Sequence, residues 1–544
     1  MAMAERRSRS WLPPATLLVA VAAFAACSSN AYVADADREV GAILGEANDR
    51  VLGGRAAWVQ QPELASPTPP QSAPGTTPDA TPAPTTPAAA APPAPESFDL
   101  TRALATAVQQ NREFLARREG LYQQGLSISL TRFQFGPQFA AAVSYLWPDR
   151  EGGGAQHGGG VSLSASQILP TGGTLALNGG LDAAFPYGPG AGPDGYGTSL
   201  GVSLSQPLLR GAGYEVSHEA LTAAERQLTY AVRDFELYRE NFSIQIARQF
   251  FDLTSQQKTL ANEDRNYESA VFDRGKAEAL QQVGRNTEQE VFRARRREIE
   301  AKDQLINARA AYDRALDAFK LQLGLSTSAA VAIADVEPPY EPVHFTVDSA
   351  IAAARHNRLD LITERQQLED VERGVRLAEN GLLPDLDLTA SYGLGGAGEE
   401  LGSASPDRWS SSVGLQFTVP LQQKGVRNAY RSARIGLEQA RRGLQLREDQ
   451  LELDIRDALR SLHSIEERIV LQAEQIEQER AAVTVTQIRY EAGKLENRDL
   501  LEARQALVDA QNALIRLKVD HFTARLALLR DMGIFFVDEH GMWQ

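Results

Sequence analysis

Few residues of this chain have the types and spacing that chemistry requires. Asp499 and Glu502 stand three residues apart in the second half of the chain, and Glu290 and Arg293 have the same spacing in the first half. On a helix this spacing places two side chains on one face, so each pair could attract a cation or form a salt bridge. Acids on an amphipathic helix are also commonly a solvated face, and that alternative stays open.

Composition and charge exclude several other functions. The formal net charge is −15 and no stretch forms the basic stripe that binding to phosphate groups needs, so we predict no nucleic-acid partner. Aromatic residues make up 7% of the chain and its hydrophobic content is ordinary, which argues against a bundle of transmembrane helices. The seven histidines lack metal-ligand spacing and no Ser/His/Asp pattern stands out, so we predict no enzyme, no cofactor and no metal site.

The single cysteine, Cys27, lies at the end of an N-terminal signal. Arginines precede an apolar run that ends in "FAAC", which is typical of a secretion signal over residues 1–26. These four residues resemble the bacterial lipobox, so we predict lipidation at Cys27; the alternative is a plain signal with a chance cysteine. Residues 27–61 would then be a lipid-anchored segment with a short amphipathic helix, and the Pro/Ala/Thr-rich residues 62–97 a disordered linker.

From residue 98 onward the sequence is an imperfect duplication. "ALATAVQQNREF" recurs as "AIAAARHNRLDL", and "FGPQFAAAVSY" recurs as "LLPDLDLTASY". This predicts two repeats, 98–337 and 338–544, that each read helix, strands, long helix, shorter helix. The predicted bounds are strands within 137–207, long helix 213–283 and helix 285–324 in the first repeat, and helix 346–381, strands within 384–420, long helix 425–492 and helix 494–533 in the second.

The long helices are predicted from the absence of proline and from apolar spacing. Apolar residues from Leu437 to Ile469 keep a three-four spacing that indicates a coiled-coil seam. A helix over 425–492 would extend roughly 100 Å. Gly284 and Gly493 fall at matching places after the two long helices, and glycine commonly ends a helix, so we predict a tight turn at each. The alternative is a glycine tolerated in mid-helix.

The segments between the helices alternate polar and apolar residues. In "SSVGLQFTVPL", Val413, Leu415 and Phe417 alternate with small or polar residues. Such segments suit a transmembrane β-barrel with lipid outside and water inside. A soluble sandwich with one solvated face would show the same alternation. One chain supplies only about four to six strands, fewer than a single-chain barrel needs, so we predict that several chains close the barrel together.

The first repeat has a longer strand region than the second, by 34 residues. The added residues include "GGVSLSASQILPTGGTLALNGGL", two alternating stretches joined by a Pro-Thr-Gly-Gly turn, which predicts an extra hairpin. From the sequence, this hairpin could either join the barrel wall or rise outside it.

The order of these motifs over residues 98–533 resembles the TolC-type outer-membrane efflux protein family. The resemblance is carried by "SQPLLRGAG" and "TVPLQQKG" at strand exits, "LLPDLDLTASY" at a strand entry, and "RYEAGKLENRDLLEARQALVDAQNALIRLK" in the last helical hairpin. It implies a mixed α and β fold in which three chains form a barrel of typically twelve strands, continued by a long antiparallel α-helical coiled-coil tunnel. Proline ends a strand ladder, so Pro207-Leu208 and Pro420-Leu421 would mark where barrel strands become tunnel helices.

The resemblance also implies a function. The chain would be a passive, homotrimeric exit duct in the outer membrane, lipid-anchored and extending into the periplasm. It would work with a periplasmic adaptor (membrane fusion) protein and an inner-membrane pump to export small molecules, metals or proteins. The alternative is a lipid-anchored periplasmic coiled-coil scaffold with no conduit, which explains the signal and the helices but not the alternating segments.

Two sets of site residues follow from the same resemblance. In TolC-like channels, acidic residues at the positions of Asp499 and Glu502 line the closed periplasmic aperture, so we predict a gate there, with Glu290 and Arg293 at the corresponding positions of the first repeat. The turns between the long helices and their partners resemble the family's adaptor-contacting turns. The residues predicted to contact the adaptor are Val283, Gly284, Arg285, Asn286, Thr287, Ala492, Gly493 and Lys494.

Overall fold

The computed structural model describes residues 29–53, 96–146, 155–187, 192–400, 403–492, 494–495 and 497–543. The predicted signal peptide, Cys27, most of the predicted linker and Gly493 lie outside the described residues. Among the helices that are described, none has both the length and the apolar character that crossing a membrane requires.

An N-terminal helix, α1 (Ser29–Leu52), packs against the rest of the helical body. Val40, Ile43 and Ala47 form its buried face, as the helical spacing of the apolar residues predicts. Gly125 on a neighbouring helix permits the close approach, because a Cβ at that position would lie 2.6 Å from Cγ1 of Val40. The predicted amphipathic helix is therefore confirmed.

The last residues of the predicted linker belong to the folded body. β1 (Glu96–Phe98) pairs in parallel with β6 (Val331–Ile333), and Phe98 is buried in the main core. The predicted linker 62–97 thus runs two residues too far. The pairing that orders Glu96 and Ser97 depends on a strand from the other end of the first half, which local composition cannot indicate.

Each half of the chain opens with two helices where the sequence predicts one. The second half breaks at Arg358, so the predicted helix 346–381 is wrong as a single element, and the first half breaks at Asn111. Both residues have extended backbone, with ψ of 116° and 124°, which ends one helix and starts the next. The helices beside the breaks are α2 (Leu100–Gln110), α3 (Arg112–Phe135), α7 (Val347–Asn357) and α8 (Leu359–Asn380).

The breaks make room for the ends of the two halves. Gly324 and Gly533 both have positive φ, 81° and 68°. A Cβ on Gly324 would lie 2.1 Å from the carbonyl oxygen of Gln110, and a Cβ on Gly533 would lie 2.8 Å from the carbonyl carbon of Asn357. Only glycine combines this backbone conformation with this close approach, so it fits both positions.

Six strands form one antiparallel sheet in the order β2-β3-β4-β5-β7-β8. β5 and β7 join the two halves of the chain, with Val202 opposite Tyr392. The predicted extra hairpin is present as β3 and β4, and it lies between β2 and β5. The strands are β2 (Gln138–Leu146), β3 (Ala155–Ile168), β4 (Thr174–Tyr187), β5 (Gly195–Pro207), β7 (Asp385–Gly398) and β8 (Arg408–Thr418).

Two long helical hairpins make up most of the remaining body. In each, a long helix packs along the shorter helix that follows it in the chain. One core lies where Phe250, Phe319 and Phe522 meet, and a second lies around Leu451 and Ile455. The helices are α5 (Glu219–Gln282), α6 (Glu288–Gln322), α9 (Lys424–Glu491) and α10 (Asn497–Asp531).

The predicted long helix 213–283 is interrupted near its start. A one-turn helix, α4 (Tyr214–Ser217), is separated from α5 by His218. The ring of His218 stacks on that of Tyr214, with centroids 4.4 Å apart, and its Nδ1 lies 2.8 Å from Oγ of Ser217. These contacts accompany a non-helical backbone at His218 (φ −105°, ψ 13°), so the prediction of one continuous helix is wrong there.

Candidate functional site

The sheet is a single layer whose apolar face is exposed over most of its extent. Alternate residues of all six strands share this face, and their large side chains are exposed: Phe139 is 79% exposed and Val413 is 78% exposed. Mostly small and polar residues occupy the opposite face. One end of the apolar face is covered by residues 403–405, where Oγ1 of Thr198 donates to the carbonyl of the buried Ala404 at 2.7 Å. The sheet is therefore not half of a sandwich within the described residues. Its apolar face includes, one from each strand, Phe139, Leu163, Leu181, Val202, Tyr392 and Val413.

The two Pro-Leu pairs lie where the sheet gives way to helices. Pro207 is the last residue of β5, just before α4, and Pro420 lies two residues beyond β8, just before α9. The leucines differ in their surroundings. The N–H of Leu208 donates to the carbonyl of Leu386 at 2.7 Å, whereas Leu421 is 96% exposed. The chain leaving β5 is thus hydrogen-bonded to β7, whereas Leu421, in the chain leaving β8, is exposed to solvent.

The first exit is also fastened to the second half of the chain. Arg210 forms an ion pair with Asp385, the first residue of β7. The N–H of Gly211 donates to Oδ1 of Asn380, at the end of α8, over 2.9 Å. The strand-to-helix exit of the first half is therefore held against the helix-to-strand entry of the second half.

The turn between α5 and α6, residues 283–287, is called here the first tip. Gly284 has φ of 72°, its N–H donates to the carbonyl of Gln281, and the N–H of Arg285 donates to that of Leu280, both at 2.9 Å. This is a Schellman motif, which ends a helix with a glycine in the left-handed region. The predicted glycine turn is confirmed at Gly284.

A capping box begins the second helix of the first tip. The N–H of Glu290 donates to Oγ1 of Thr287, and the N–H of Thr287 donates to Oε2 of Glu290 at 3.0 Å. The carboxylate of Glu290, one of the predicted gate residues, therefore has a local structural partner. The predicted adaptor residues Val283, Gly284 and Arg285 are exposed beside it.

The turn between α9 and α10, residues 492–496, is called here the second tip, and it is described only in part. The N–H of Lys494 donates to the carbonyl of Arg489 at 2.9 Å, which closes the end of α9. Ala492 and Lys494 are exposed. Gly493 lies outside the described residues, so its turn stays a prediction.

Asp499 and Glu502 share a basic neighbour on the first turns of α10. Nη2 of Arg498 lies 3.3 Å from Oδ1 of Asp499, and its Nε lies 3.6 Å from Oε1 of Glu502. Arg498 was not among the predicted site residues, although its place beside Asp499 was a usable signal. Glu502 is largely exposed, so these ion pairs contribute little to stability.

A cavity of about 460 Å³ lies between α6 and α10 near the two tips. It brings together three of the four predicted gate residues, Glu290, Arg293 and Glu502, while Asp499 does not line it. Arg297 on α6 donates to Oε1 of Gln505 on α10 and so links the two walls. Within one chain, the predicted gate residues that line the cavity therefore have both acidic and basic neighbours. The other charged residues of the cavity are Arg296, Arg297, Glu300 and Arg498.

The family model of outer membrane efflux proteins matches residues 350–533. The alkaline protease secretion protein AprF of Pseudomonas aeruginosa is 26% identical over 351 residues, which cover 61% of this chain and 68% of AprF. The outer membrane efflux protein BepC of Brucella suis biovar 1 is 23% identical over 348 residues, 63% of this chain and 74% of BepC. Residues 350–533 of this chain thus match the outer membrane efflux protein family, and both relatives agree with the resemblance to that family.

A solved channel also shares the fold of this chain. The CmeC outer membrane channel of Campylobacter jejuni superposes with a TM-score of 0.60 at 17% identity, over 80% of this chain and 85% of that one. The family match covers the second half of the chain, including Asp499 and Glu502, and leaves β2 to β5 and the first tip outside it. Relatives named as channels and efflux proteins agree with the prediction of a non-enzyme.

The helical body also buries acids that were not among the predicted site residues. Glu236 and Glu240 on α5 are both buried beside Arg239, whose Nη1 lies 2.7 Å from Oε2 of Glu236. The Nη2 of Arg239 donates to the carbonyls of Val537 and Asp538. Burial, with the neighbouring Glu236, raises the pKa of Glu240 to about 8. Apolar periodicity cannot reveal such residues, because it does not distinguish a buried acid from an exposed one.

Proposed function

We propose that this chain forms a passive trimeric exit duct in the outer membrane, with a barrel closed by the sheets of three copies and a periplasmic tunnel formed by their long helices. The observation that carries the proposal is the single-layer sheet, whose apolar face has exposed large side chains on all six strands. Such a face is costly in water and stable in lipid, while its polar reverse side suits a water-filled lumen.

The edges of the sheet require another copy of the chain. β2 and β8 each have one neighbour, so each leaves a row of unpaired backbone groups. In lipid every unpaired group costs several kcal/mol, and only a closed barrel removes the edges. Because every pairing in the sheet is antiparallel, β2 and β8 run in opposite directions. β8 of one copy can therefore continue the same ladder with β2 of the next.

The helical tips fit contact with an adaptor. The first tip ends in exposed residues held by a Schellman motif and a capping box, which make a rigid surface. We place the periplasmic adaptor on Val283 to Thr287 and on Ala492 to Lys494, with an inner-membrane pump beyond it. Asp499 and Glu502, with Glu290 and Arg293, would form the gate of the aperture.

The exported cargo is proposed from the relatives. AprF is named for alkaline protease secretion and BepC for efflux, so one duct architecture serves different cargo. We propose export of small molecules, metals or proteins, with the choice made by the pump. Crosslinking at the first tip, followed by identification of the bound adaptor and pump, would reveal which of these cargo classes applies.

We further propose that Cys27 carries a lipid that assists placement in the outer membrane. A single acyl chain binds membranes only marginally, whereas a closed barrel inserts essentially irreversibly. Replacing Cys27 by Ser, behind a cleavable non-lipoprotein signal, should therefore still give an outer-membrane trimer.

Electrophoresis and conductance test the duct against the scaffold alternative. Protein extracted from outer membranes with detergent is run unheated and heated, and then added to planar bilayers. A band of trimer size that heating converts to monomer, together with stable conductance steps, would support the duct. Recovery of a soluble monomer with no conductance would contradict it and favour the lipid-anchored coiled-coil scaffold, which leaves the exposed apolar face of the sheet without a role.

A further inference from the structure

The extra hairpin is inserted into the sheet rather than appended to it. β2 pairs with β3 from Gln138 to Leu146, and β4 pairs with β5 from Thr174 to Ala184. β3 and β4 pair with each other along their whole length. Within the described residues β3 is the strand that pairs with β2, so the hairpin is a structural part of the same ladder.

Both faces of the hairpin continue the faces of its neighbours. On the apolar side Leu163 lies opposite Ala141 of β2, and Leu177 lies opposite Val202 of β5. On the other side Ser164 lies opposite Ala140, and small or polar residues follow on β4. Leu163 is exposed like the apolar residues of the other strands. The hairpin therefore has the two-sided character of a barrel wall.

The turn of the hairpin is anchored at the strand exits. Oγ1 of Thr171 donates to Oε1 of Gln206 at 2.6 Å, and Nε2 of Gln206 donates to the carbonyl of Thr171 at 3.0 Å. The N–H of Gly213 donates to the same carbonyl at 2.9 Å. Gly172 packs so tightly there that a Cβ would lie 2.5 Å from the carbonyl oxygen of Gly211. The hairpin thus turns at the same level at which β5 leaves the sheet.

We infer that the β3–β4 hairpin forms part of the barrel wall, so that each copy supplies six strands and the serine face of β3 lines the lumen. This rests on the proposed trimeric duct. Three copies of the six-stranded sheet would give eighteen strands rather than the twelve typical of the family. Barrel diameter grows roughly linearly with strand number, so the cross-section would be about twice that of a twelve-stranded barrel. The barrel would then be wider than the family norm while the number of tunnel helices stays the same.

Thiol labelling along β3 tests this inference without relying on conductance, which the tunnel could limit. Single cysteines replace Ser162, Ser164, Val161 and Leu163 in turn, and the full-length protein is incorporated into liposomes of phosphatidylethanolamine and phosphatidylglycerol. The parental chain, whose one cysteine is Cys27, gives the background. A charged, membrane-impermeant methanethiosulfonate should label the two serine positions on the order of tenfold faster than the two apolar positions, because the reacting thiolate is disfavoured in apolar surroundings.

The matched control is the pair Ser412→Cys and Val413→Cys on β8, which belongs to the wall whether or not the hairpin does. If the labelling rate alternates between fast and slow along both β8 and β3, the inference is supported. If β8 alternates but both faces of β3 label at the same fast rate, the hairpin stands in water outside the wall; the inference is then overturned and the duct is unaffected. If β8 does not alternate either, the barrel itself is contradicted, and the inference fails with it.

Discussion

The two longest helices differ greatly in how much surface they bury within one chain. α5 has 64 residues and α9 has 68, yet α5 buries 23 residues, charged ones among them, whereas α9 buries only five, all Leu or Ile. α9 also leaves large apolar side chains such as Leu446 and Leu471 exposed. α5 therefore lies largely within the core of the chain, whereas α9 leaves an apolar surface that another molecule could cover. In the proposed trimer that molecule is the next copy.

The largest expected effect comes from truncating the core of α5. Phe250 is fully buried and contacts the rings of Phe251 and Phe319, so Phe250→Ala should cost about 3–5 kcal/mol of folding stability. The measurement is the temperature at which the helical circular dichroism signal is lost. Leu471→Ala on α9 is the matched change: it should barely move that temperature but should lower the temperature at which the unheated trimer band disappears. An equal loss of helical signal in both variants would show that α9 is not an intermolecular surface.

The next effect concerns a feature that both halves share. Gly324 and Gly533 have positive φ and face the backbone of a helix break, so an added Cβ is both strained and blocked. Gly324→Ala should destabilise by on the order of 3 kcal/mol, and Gly533→Ala by somewhat less, because the closest contact is longer there. Gly374→Ala on α8 is the control: nothing lies within 4 Å of its Cβ position, so helix propensity should make this variant slightly more stable.

A smaller effect is a pH dependence of folding stability that comes from α5 and not from α9. Burial and Glu236 raise the pKa of Glu240 from 4.5 to about 8, with Arg530, Arg239 and Asp360 also nearby. The folded chain then binds a proton that the unfolded chain releases above about pH 4.5, so stability should fall as the pH rises towards 8 and level off beyond it.

Glu240→Gln removes this titration. It should reduce the fall in stability and raise stability at pH 8 by on the order of 2 kcal/mol. Thermal unfolding at pH 5, 6.5 and 8 would measure both effects. Glu477→Gln, an exposed acid on α9, should leave the pH profile unchanged. A parallel profile for Glu240→Gln and the parent would contradict a protonated Glu240.

Local patterns predicted the order of the elements, the α1 helix and the turn at Gly284, because periodicity and glycine act within a few residues. Asn111 could have been recognised as well: its Oδ1 accepts from the N–H of Phe114, a common N-cap arrangement. The break at Arg358 has no side-chain cap, and it lies where Gly533 packs against Asn357 and Arg358. The position of the extra hairpin in the sheet also depended on long-range pairing, since its alternation is the same beside any neighbour.

Changes to Asp499 and Glu502, beside the second tip, should have the smallest effect on stability. The same changes should have the largest effect on conduction. Asp499 and Glu502 share Arg498, and in three copies six carboxylates would converge on the aperture. Like charges held close together disfavour ionisation and attract cations, so calcium added on the tip side should block the current, and the block should weaken as low pH protonates the acids.

Replacing Asp499 by Asn and Glu502 by Gln together should abolish the calcium block. The heat stability of the trimer should stay within about 0.5 kcal/mol, because exposed ion pairs contribute little to folding. A charge-matched control, Asp457→Asn with Glu467→Gln, removes two exposed acids far from the tip and should leave the block unchanged. If the double tip variant keeps the full block, the two acids are a solvated helix face. The gate would then be sought on the first-half side of the cavity, where the carboxylate of Glu290 already accepts from the N–H of Thr287 in a capping box and Arg293 lines the same cavity.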